Sequence, residues 1–269
     1  MPFSPYLRRW KLVPDGEPVH THSSDLLPVR FGDQAAMLKL PREDEERFGG
    51  GLMLWWNGEG AARVLAHDEE TGALLLERLT GSRSLVGMVE AGQDDEASRV
   101  LCAVAACLHA PRSRPLPDLV PLKTWFRALE PASRQYGGIL LDSARAARAL
   151  LATPQEVGVL HGDLHHENVL DGGERGWLAI DPKRLLGERG FDYANIFCNP
   201  DLPTALRPGR LARQSYIVAE AAGLDRERLL QWVLAYAGLS AAWWLEGGRD
   251  DEAGPVLAVA QLALAELDL

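Results

Sequence analysis

One short stretch of the chain decides its fold: His161-Gly162-Asp163-Leu164-His165-His166-Glu167-Asn168. The apolar run Glu156–Leu160 precedes it, and such a run followed at once by polar residues predicts a buried strand that ends in a loop. Asp163 and Asn168 stand five residues apart in that loop. A second apolar run, Trp177–Ile180, also ends at an acidic residue. Two strands are therefore expected to deliver two polar clusters.

These polar residues have the types and the order that phosphoryl transfer requires. The reaction needs a carboxylate that orients the attacking hydroxyl, oxygen ligands for magnesium and a cation on the nucleotide. Asp163 and Asn168 have the spacing of a kinase catalytic loop, and Asp181 follows Asn168 by thirteen residues. Upstream, Lys39 lies in an apolar run, where a strand lysine would reach the nucleotide phosphates. The sequence therefore predicts a phosphotransferase site of the kinase type.

The same motifs resemble those of the aminoglycoside and small-molecule kinases, and most closely the streptomycin 6-phosphotransferase and hydroxyurea kinase family. The resemblance is carried by the loop 161–168 together with Trp177–Lys183 and Gly187–Asn195. It implies an α+β, two-lobed protein-kinase-like fold. A small antiparallel-sheet lobe for nucleotide binding would comprise residues 1–80, and a mainly helical lobe with the catalytic loop and acceptor site would comprise residues 81–269.

The resemblance also implies roles for individual residues. Asp163 would be the catalytic base or the hydroxyl-orienting group, Asn168 and Asp181 would hold Mg²⁺, and Lys39 would bind the phosphates of ATP or GTP. A helix glutamate should pair with Lys39. Glu46 is the chosen partner, although two other glutamates of the same acidic turn, Glu43 and Glu45, remain alternatives.

Further residues are assigned by their position in the resemblance. Glu77 and Leu79 would belong to the strand that runs into the hinge, where backbone groups bind the adenine. Asp192 would support the catalytic loop from behind. The remaining supporting residues would be a structural histidine and two cations near the phosphates, namely His161, Lys183 and Arg189.

Two departures from the kinase pattern affect these predictions. The stretch Val13–Pro28 contains no G-x-G-x-x-G, so this segment would have to cover the phosphates with backbone amides and the hydroxyls of Ser23 and Ser24. Pro182-Lys183 follows Asp181 in place of Phe-Gly, and no Ala-Pro-Glu segment is present. These differences favour a small-molecule acceptor over a protein.

Hydrophobic periodicity predicts the elements around these motifs. Short extended runs are expected in the first eighty residues, and spacings of three and four predict helices later. The predicted strands are Asp25–Phe31, Ala35–Leu40, Ala61–Ala66, Ala73–Leu79, Glu156–Leu160 and Trp177–Ile180. The predicted helices are Arg42–Trp56, Glu96–Leu108, Leu122–Leu129, Ile139–Leu151, Pro203–Gly223, Asp225–Gly247 and Pro255–Leu269.

Net charge and cysteine content indicate which classes of partner and which cellular compartment to expect. The net charge of −10 argues against a nucleic-acid groove or an anionic membrane surface, and it favours a cationic substrate. No apolar stretch approaches the roughly 20 residues of a membrane span, and the first residues lack the order of a signal peptide. Three cysteines without metal-ligand spacing, Cys102, Cys107 and Cys198, favour a reduced, cytoplasmic setting. The oligomeric state cannot be predicted.

The acceptor predicted from the resemblance is streptomycin, whose guanidinium groups suit acidic side chains. Hydroxyurea or another small metabolite is the alternative within the same class. Two other classes stay open, a kinase-fold binding module without catalysis and a metal-dependent hydrolase built on the clustered His and Asp residues. Glu220, Glu246 and Asp250 are candidate acceptor contacts. The tryptophans, including Trp243, are expected to be packing residues.

Overall fold

The computed structural model describes residues 2–21, 23–42 and 44–268 of the chain, without the side chains of residues 44–48. Within this part, an antiparallel sheet with flanking helices forms an N-terminal lobe. Its elements are α1 (Ser4–Arg9), β1 (Leu12–Pro14), β2 (Val19–His20), β3 (Ser24–Phe31), β4 (Gln34–Pro41), α2 (Asp44–Trp56), β5 (Val64–His67) and β6 (Leu74–Glu77).

Helices dominate the second lobe. They are α3 (Leu85–Glu90), α4 (Asp94–His109), α5 (Leu122–Trp125), α6 (Leu129–Tyr136), α7 (Ile139–Ala152), α8 (Gly190–Ala194), α9 (Leu202–Ala205), α10 (Arg210–Ala222), α11 (Arg226–Glu246) and α12 (Asp250–Leu267). Short strands lie between them, namely β7 (Val120–Pro121), β8 (Val157–Leu160), β9 (Val169–Asp171), β10 (Trp177–Ala179) and β11 (Leu185–Glu188).

The strand order places the site between the lobes. The N-terminal sheet runs β1-β3-β4-β6-β5, with β2 also paired to β3, so that β4 and its Lys39 lie in the middle. In the second lobe β11 pairs antiparallel with β8, and β9 pairs antiparallel with β10. The catalytic loop connects β8 to β9, and Asp181 follows β10.

Two apolar cores hold these layers. A small core lies in the N-terminal lobe and includes Leu27, Val29 and Leu38 of the sheet. A larger core is built around α11, and it also contains Leu52 and Trp56 of α2. Part of the first eighty residues therefore packs with the second lobe, and the domain division at residue 80 stays a prediction.

The predicted α+β fold is confirmed. Some helix and strand boundaries differ from those that hydrophobic periodicity predicted. The helix predicted at Leu122–Leu129 is instead α5, a 3-10 turn and the start of α6. The helix predicted at Pro203–Gly223 is divided into α9 and α10. Short elements such as α1, α3, β9 and β11 were not predicted, because two to six residues carry little periodic signal. In the described residues, no helix is long and apolar enough to cross a membrane.

Candidate active site

The catalytic loop is held from below by a buried aspartate. The amides of His161 and Gly162 donate to the two carboxylate oxygens of Asp192 at 2.8 and 2.7 Å. Nε2 of His109 lies 2.8 Å from the same carboxylate. Asp192 is almost fully buried, so these hydrogen bonds form in a low-dielectric setting where they are strong. Asp192 thus lies behind the loop, which is the position that the resemblance implies for it.

His161 joins the two polar clusters. Its Nε2 lies 2.8 Å from the carbonyl oxygen of Ile180, and its Nδ1 accepts from the amide of Asp163 at 3.2 Å. Its own carbonyl accepts from the amide of Lys183 at 2.6 Å. Burial lowers the pKa of His161, so that the ring is neutral, and the ring stacks on Trp56 at 6.0 Å between centroids.

This use of His161 argues against the metal-dependent hydrolase. Both ring nitrogens are bound to backbone groups and are not available as zinc ligands. Among the described residues, no group of three His, Cys, Asp or Glu side chains is arranged to hold a metal ion.

Asp163 and Asn168 contact each other within the loop. Nδ2 of Asn168 donates to the carbonyl oxygen of Asp163 at 2.9 Å and lies 3.4 Å from its Oδ2. Because the amide nitrogen of Asn168 is used here, its amide oxygen remains as a ligand. The Asp163 side chain is 31% exposed, so the carboxylate is accessible from the cleft.

Lys39 and Asp181 connect the two lobes. Nζ of Lys39 lies 2.7 Å from Oδ1 of Asp181, and the Lys39 side chain is only 5% exposed. Asp181 has a φ of +59°, a left-handed conformation that is uncommon for residues other than glycine and clusters at functional sites. The side chain of Glu46, the predicted partner of Lys39, lies outside the described residues, and that pairing stays a prediction.

Ser23 and Ser24, the residues predicted to cover the phosphates, lie just before β3 and at its first position. The amide of Ser24 donates to Oγ1 of Thr21 at 3.0 Å, and the Ser24 hydroxyl is buried. The phosphate contact of the Ser24 hydroxyl stays a prediction. Ser23 is half-buried, and its carbonyl accepts from the amide of Arg42 at 2.8 Å.

The hinge strand is tied to the second lobe through a side chain. The Glu77 carboxylate accepts from the amide of Arg63 at 2.6 Å and pairs with Arg175. The Glu77 amide in turn donates to the carbonyl of Arg63 at 2.9 Å, and the adenine contact of this strand stays a prediction. Leu79, two residues further along, is half-buried at the start of the connection between the lobes.

Arg189 does not join the site, which corrects the prediction of a cation near the phosphates. Its Nε donates to Glu156 at 2.7 Å, and its other nitrogens donate to the carbonyls of Ala222 and Gly223 at the end of α10. Glu156 precedes β8, whereas the catalytic loop follows it. Arg189 therefore lies at the opposite end of that strand.

A cavity of about 830 Å³ opens beside the catalytic loop. Its wall includes Asp163 and Lys183, together with Glu246 at the end of α11. Of the three acids considered for the acceptor, only Glu246 lines this cavity. The other lining residues are Trp125, Arg127, Ala128, Pro131, Ala132, Gln135, Tyr136, Gly162, Tyr236, Ala242, Trp243 and Leu245.

The sequence matches a family model over most of its length. Residues 9–248 match the family described as aminoglycoside/hydroxyurea antibiotic resistance kinase. The chain belongs to this family. The kinase is 53% identical to the streptomycin 3''-kinase of Klebsiella pneumoniae, over 96% of this chain and 98% of that protein. It is 33% identical to the streptomycin 6-kinase of Streptomyces griseus, over 96% and 85% of the two chains.

The fold of the kinase is shared with solved structures. A mutant aminoglycoside phosphotransferase in ternary complex with ADP and hygromycin B superposes with a TM-score of 0.69 over 97% of both chains, at 14% identity. The predicted protein-kinase-like fold and the predicted family are both confirmed.

Three residues of the kinase site were not predicted from the sequence. His109 and Asn195 contact Asp192 and Asp163, respectively, from other elements. Asn195 follows Asp192 by three residues, a helical spacing that would have placed both side chains on one face. Trp243 was expected to be a packing residue, but it is 37% exposed and lines the cavity.

Proposed function

We propose that the kinase transfers the γ-phosphoryl group of ATP to the 3''-hydroxyl of streptomycin. The observation that carries this proposal is the cavity of about 830 Å³ with the Asp163 carboxylate in its wall. The choice of streptomycin and of the 3'' position is supported by the 53% identity to a streptomycin 3''-kinase over nearly the full length of both chains.

Asp163 orients the acceptor hydroxyl and accepts its proton. Its carboxylate is accessible from the cavity, while its backbone is fixed by His161 and Asn168. Holding the reacting groups in place accounts for much of the rate in such reactions, because the protein has little covalent work to do. Lys39 binds the nucleotide phosphates from the opposite side of the cleft.

Asn168 and Asp181 fit a magnesium ion. Asp181 offers a carboxylate, and Asn168 offers an amide oxygen, since its nitrogen already donates to Asp163. Magnesium prefers oxygen ligands of this kind and binds through one or two carboxylates together with substrate phosphates. When bound, the ion neutralises charge that develops on the phosphates.

The wall of the cavity suits a large cationic acceptor. Glu246 provides a carboxylate for a guanidinium group, and the rings of Trp125 and Trp243, 5.5 Å apart, provide flat apolar surface for a cation or a sugar. A volume of about 830 Å³ is typical of pockets for drug-sized ligands, and it far exceeds what hydroxyurea would fill. The cavity therefore favours an aminoglycoside over hydroxyurea.

We also propose that the kinase works in a reducing, cytoplasmic setting. Cys102, Cys107 and Cys198 are free thiols. Burial raises the pKa of Cys102 and Cys198 to about 12, so these two stay protonated and unreactive.

The test is a phosphorylation assay with streptomycin, hygromycin B and hydroxyurea, with ATP or GTP as donor and with or without magnesium. Rapid turnover of streptomycin with ATP, and a phosphate at the 3''-hydroxyl by ³¹P NMR, are expected. Phosphate at the 6-hydroxyl would overturn the position but keep the substrate. Turnover of hydroxyurea alone would overturn the aminoglycoside assignment.

A further inference from the structure

An asparagine lies directly behind the Asp163 carboxylate. Nδ2 of Asn195 donates to Oδ1 of Asp163 at 3.0 Å. Nδ2 of Asn168 lies 3.4 Å from Oδ2 and donates better to the Asp163 carbonyl, and Nε2 of His165 is 3.9 Å from Oδ1, beyond hydrogen-bond distance. Among the described residues, Asn195 therefore makes the shortest hydrogen bond to this carboxylate.

A second asparagine fixes the orientation of the first. Nδ2 of Asn199 donates to the side-chain oxygen of Asn195 at 2.8 Å and to its backbone carbonyl at 2.9 Å. A reversed Asn195 amide would turn its NH₂ group toward that of Asn199 and its oxygen toward the Asp163 carboxylate. Both contacts would be repulsive, so Asn199 determines that Asn195 donates to Asp163.

Both asparagines belong to a segment that already supports the loop. Asp192, three residues before Asn195, binds the amides of His161 and Gly162. The segment thus fixes the backbone of the catalytic loop through Asp192 and the side chain of Asp163 through Asn195. Asn195 is 5% exposed and acts through Asp163, without touching a substrate in the cavity.

We propose that Asn195 and Asn199 form a positioning relay that sets the rotation of the Asp163 carboxylate for phosphoryl transfer. Asn195 occupies Oδ1, and Oδ2, whose contact with Nδ2 of Asn168 is long at 3.4 Å, is the oxygen that faces the acceptor hydroxyl in this proposal. A carboxylate without this hydrogen bond rotates about its terminal bond and spends less time in the reactive geometry. The inference rests on the proposed function, in which Asp163 orients the acceptor hydroxyl.

The relay is tested by steady-state kinetics on Asn195→Ala, Asn199→Ala and Asn195→Asp, with magnesium, ATP and streptomycin. Removal of either amide is expected to lower kcat by about 10- to 100-fold, because a hydrogen bond to a charged group is lost. The KM values for ATP and streptomycin are expected to stay within about twofold, since the relay touches neither substrate. Asn195→Asp keeps the size of the side chain but opposes two carboxylates, and it should lose at least as much kcat.

Cys198→Ser is the matched control, because Cys198 lies in the same 3-10 turn and its side chain makes no hydrogen bond to either asparagine in the described structure. It should keep the wild-type kcat. A role in folding alone would lower the melting temperature and leave kcat per folded molecule unchanged, and that result overturns the relay. If Asn195→Ala does not fold, Asn195→Asp and Asn199→Ala decide the question.

The activity of the wild-type enzyme shows whether a negative result contradicts the relay or the proposed function. A wild-type protein that phosphorylates none of the acceptors contradicts the proposed function itself. An active wild-type enzyme whose Asn195 and Asn199 variants keep full kcat contradicts only the relay.

Discussion

Two carboxylates near opposite ends of the strand pair β8–β11 have opposite environments. Glu188, at one end, is 4% exposed and accepts four hydrogen bonds, two from Arg228 at 2.6 Å, one from Trp232 at 2.8 Å and one from the amide of Gln155 at 2.9 Å. Asp163, just beyond the other end, is 31% exposed and accepts one short hydrogen bond. A saturated carboxylate stabilises the fold, whereas one whose second oxygen has only a long contact, 3.4 Å to Nδ2 of Asn168, is available for chemistry.

The largest expected effect is at the open carboxylate. Asp163→Asn keeps the shape of the side chain but removes the base, and it should lower kcat by about 10²- to 10⁴-fold. Its melting temperature should stay close to that of the wild type, because little buried structure depends on this side chain. Glu167→Gln is the matched control, since Glu167 is exposed in the same loop, and it should keep its activity. If Asp163→Asn kept the wild-type kcat, the Asp163 carboxylate would not be the catalytic group, and its contrast with Glu188 would not hold.

Glu188→Gln should show the reverse pattern. The substitution leaves Arg228 without its ionic partner in a buried site, and the free energy of unfolding should fall by about 3 kcal/mol. The kcat of the folded protein should be unchanged, because Glu188 is remote from the cleft. Urea unfolding followed by tryptophan fluorescence, combined with kinetics below the transition, measures both quantities. If Glu188→Gln lowered kcat but left the free energy of unfolding unchanged, the two ends of the strand pair would not be independent.

A third carboxylate sharpens the comparison, because it faces the cavity and should affect binding alone. Glu246→Gln is expected to raise the KM for streptomycin by about tenfold, as one charge-assisted hydrogen bond is lost, with kcat and the KM for ATP unchanged. Glu220→Gln, on the exposed face of α10, is the control and should behave as the wild type. Equal KM values in the two variants would exclude Glu246 from acceptor binding.

The smallest effect concerns acid stability. Burial opposes the ionised form of Glu188, but its hydrogen bonds with Arg228 and Trp232 outweigh this and lower its pKa. A lowered pKa in the folded state stabilises the protein above the ordinary glutamate pKa, and this stabilisation is lost as the pH falls below that value. Unfolding measured from pH 6 down to pH 2 should therefore show a shallower decline below the ordinary glutamate pKa for Glu188→Gln than for the wild type. Parallel curves would contradict this assignment.

The sequence predicted the parts of the site that are local in the chain. Asp163, Asn168 and Asp181 follow apolar strands at fixed spacings, so their identity and approximate placement could be predicted from the residues alone. Lys39 could be placed because its strand has a clear apolar pattern. These features depend on short-range rules that act within a few residues.

Contacts between distant segments could not be predicted in the same way. The pairing of Asn195 with Asp163 and of His109 with Asp192 depends on how helices of the second lobe pack, and no local pattern encodes that packing. Arg189 illustrates the opposite error. It lies within a recognisable motif, yet the chain direction turns its guanidinium toward Glu156 and the end of α10.

The ion pair between Lys39 and Asp181 has a consequence for how nucleotide and magnesium bind to the enzyme. Under the proposed roles, Lys39 exchanges Asp181 for phosphate oxygens, and Asp181 exchanges Lys39 for a metal ion. Nucleotide binding alone would take the Lys39 ammonium from Asp181 and bring phosphate oxygens toward that carboxylate, a repulsion that a bound metal ion relieves. Nucleotide and magnesium should therefore bind cooperatively, each raising the affinity for the other by the same factor.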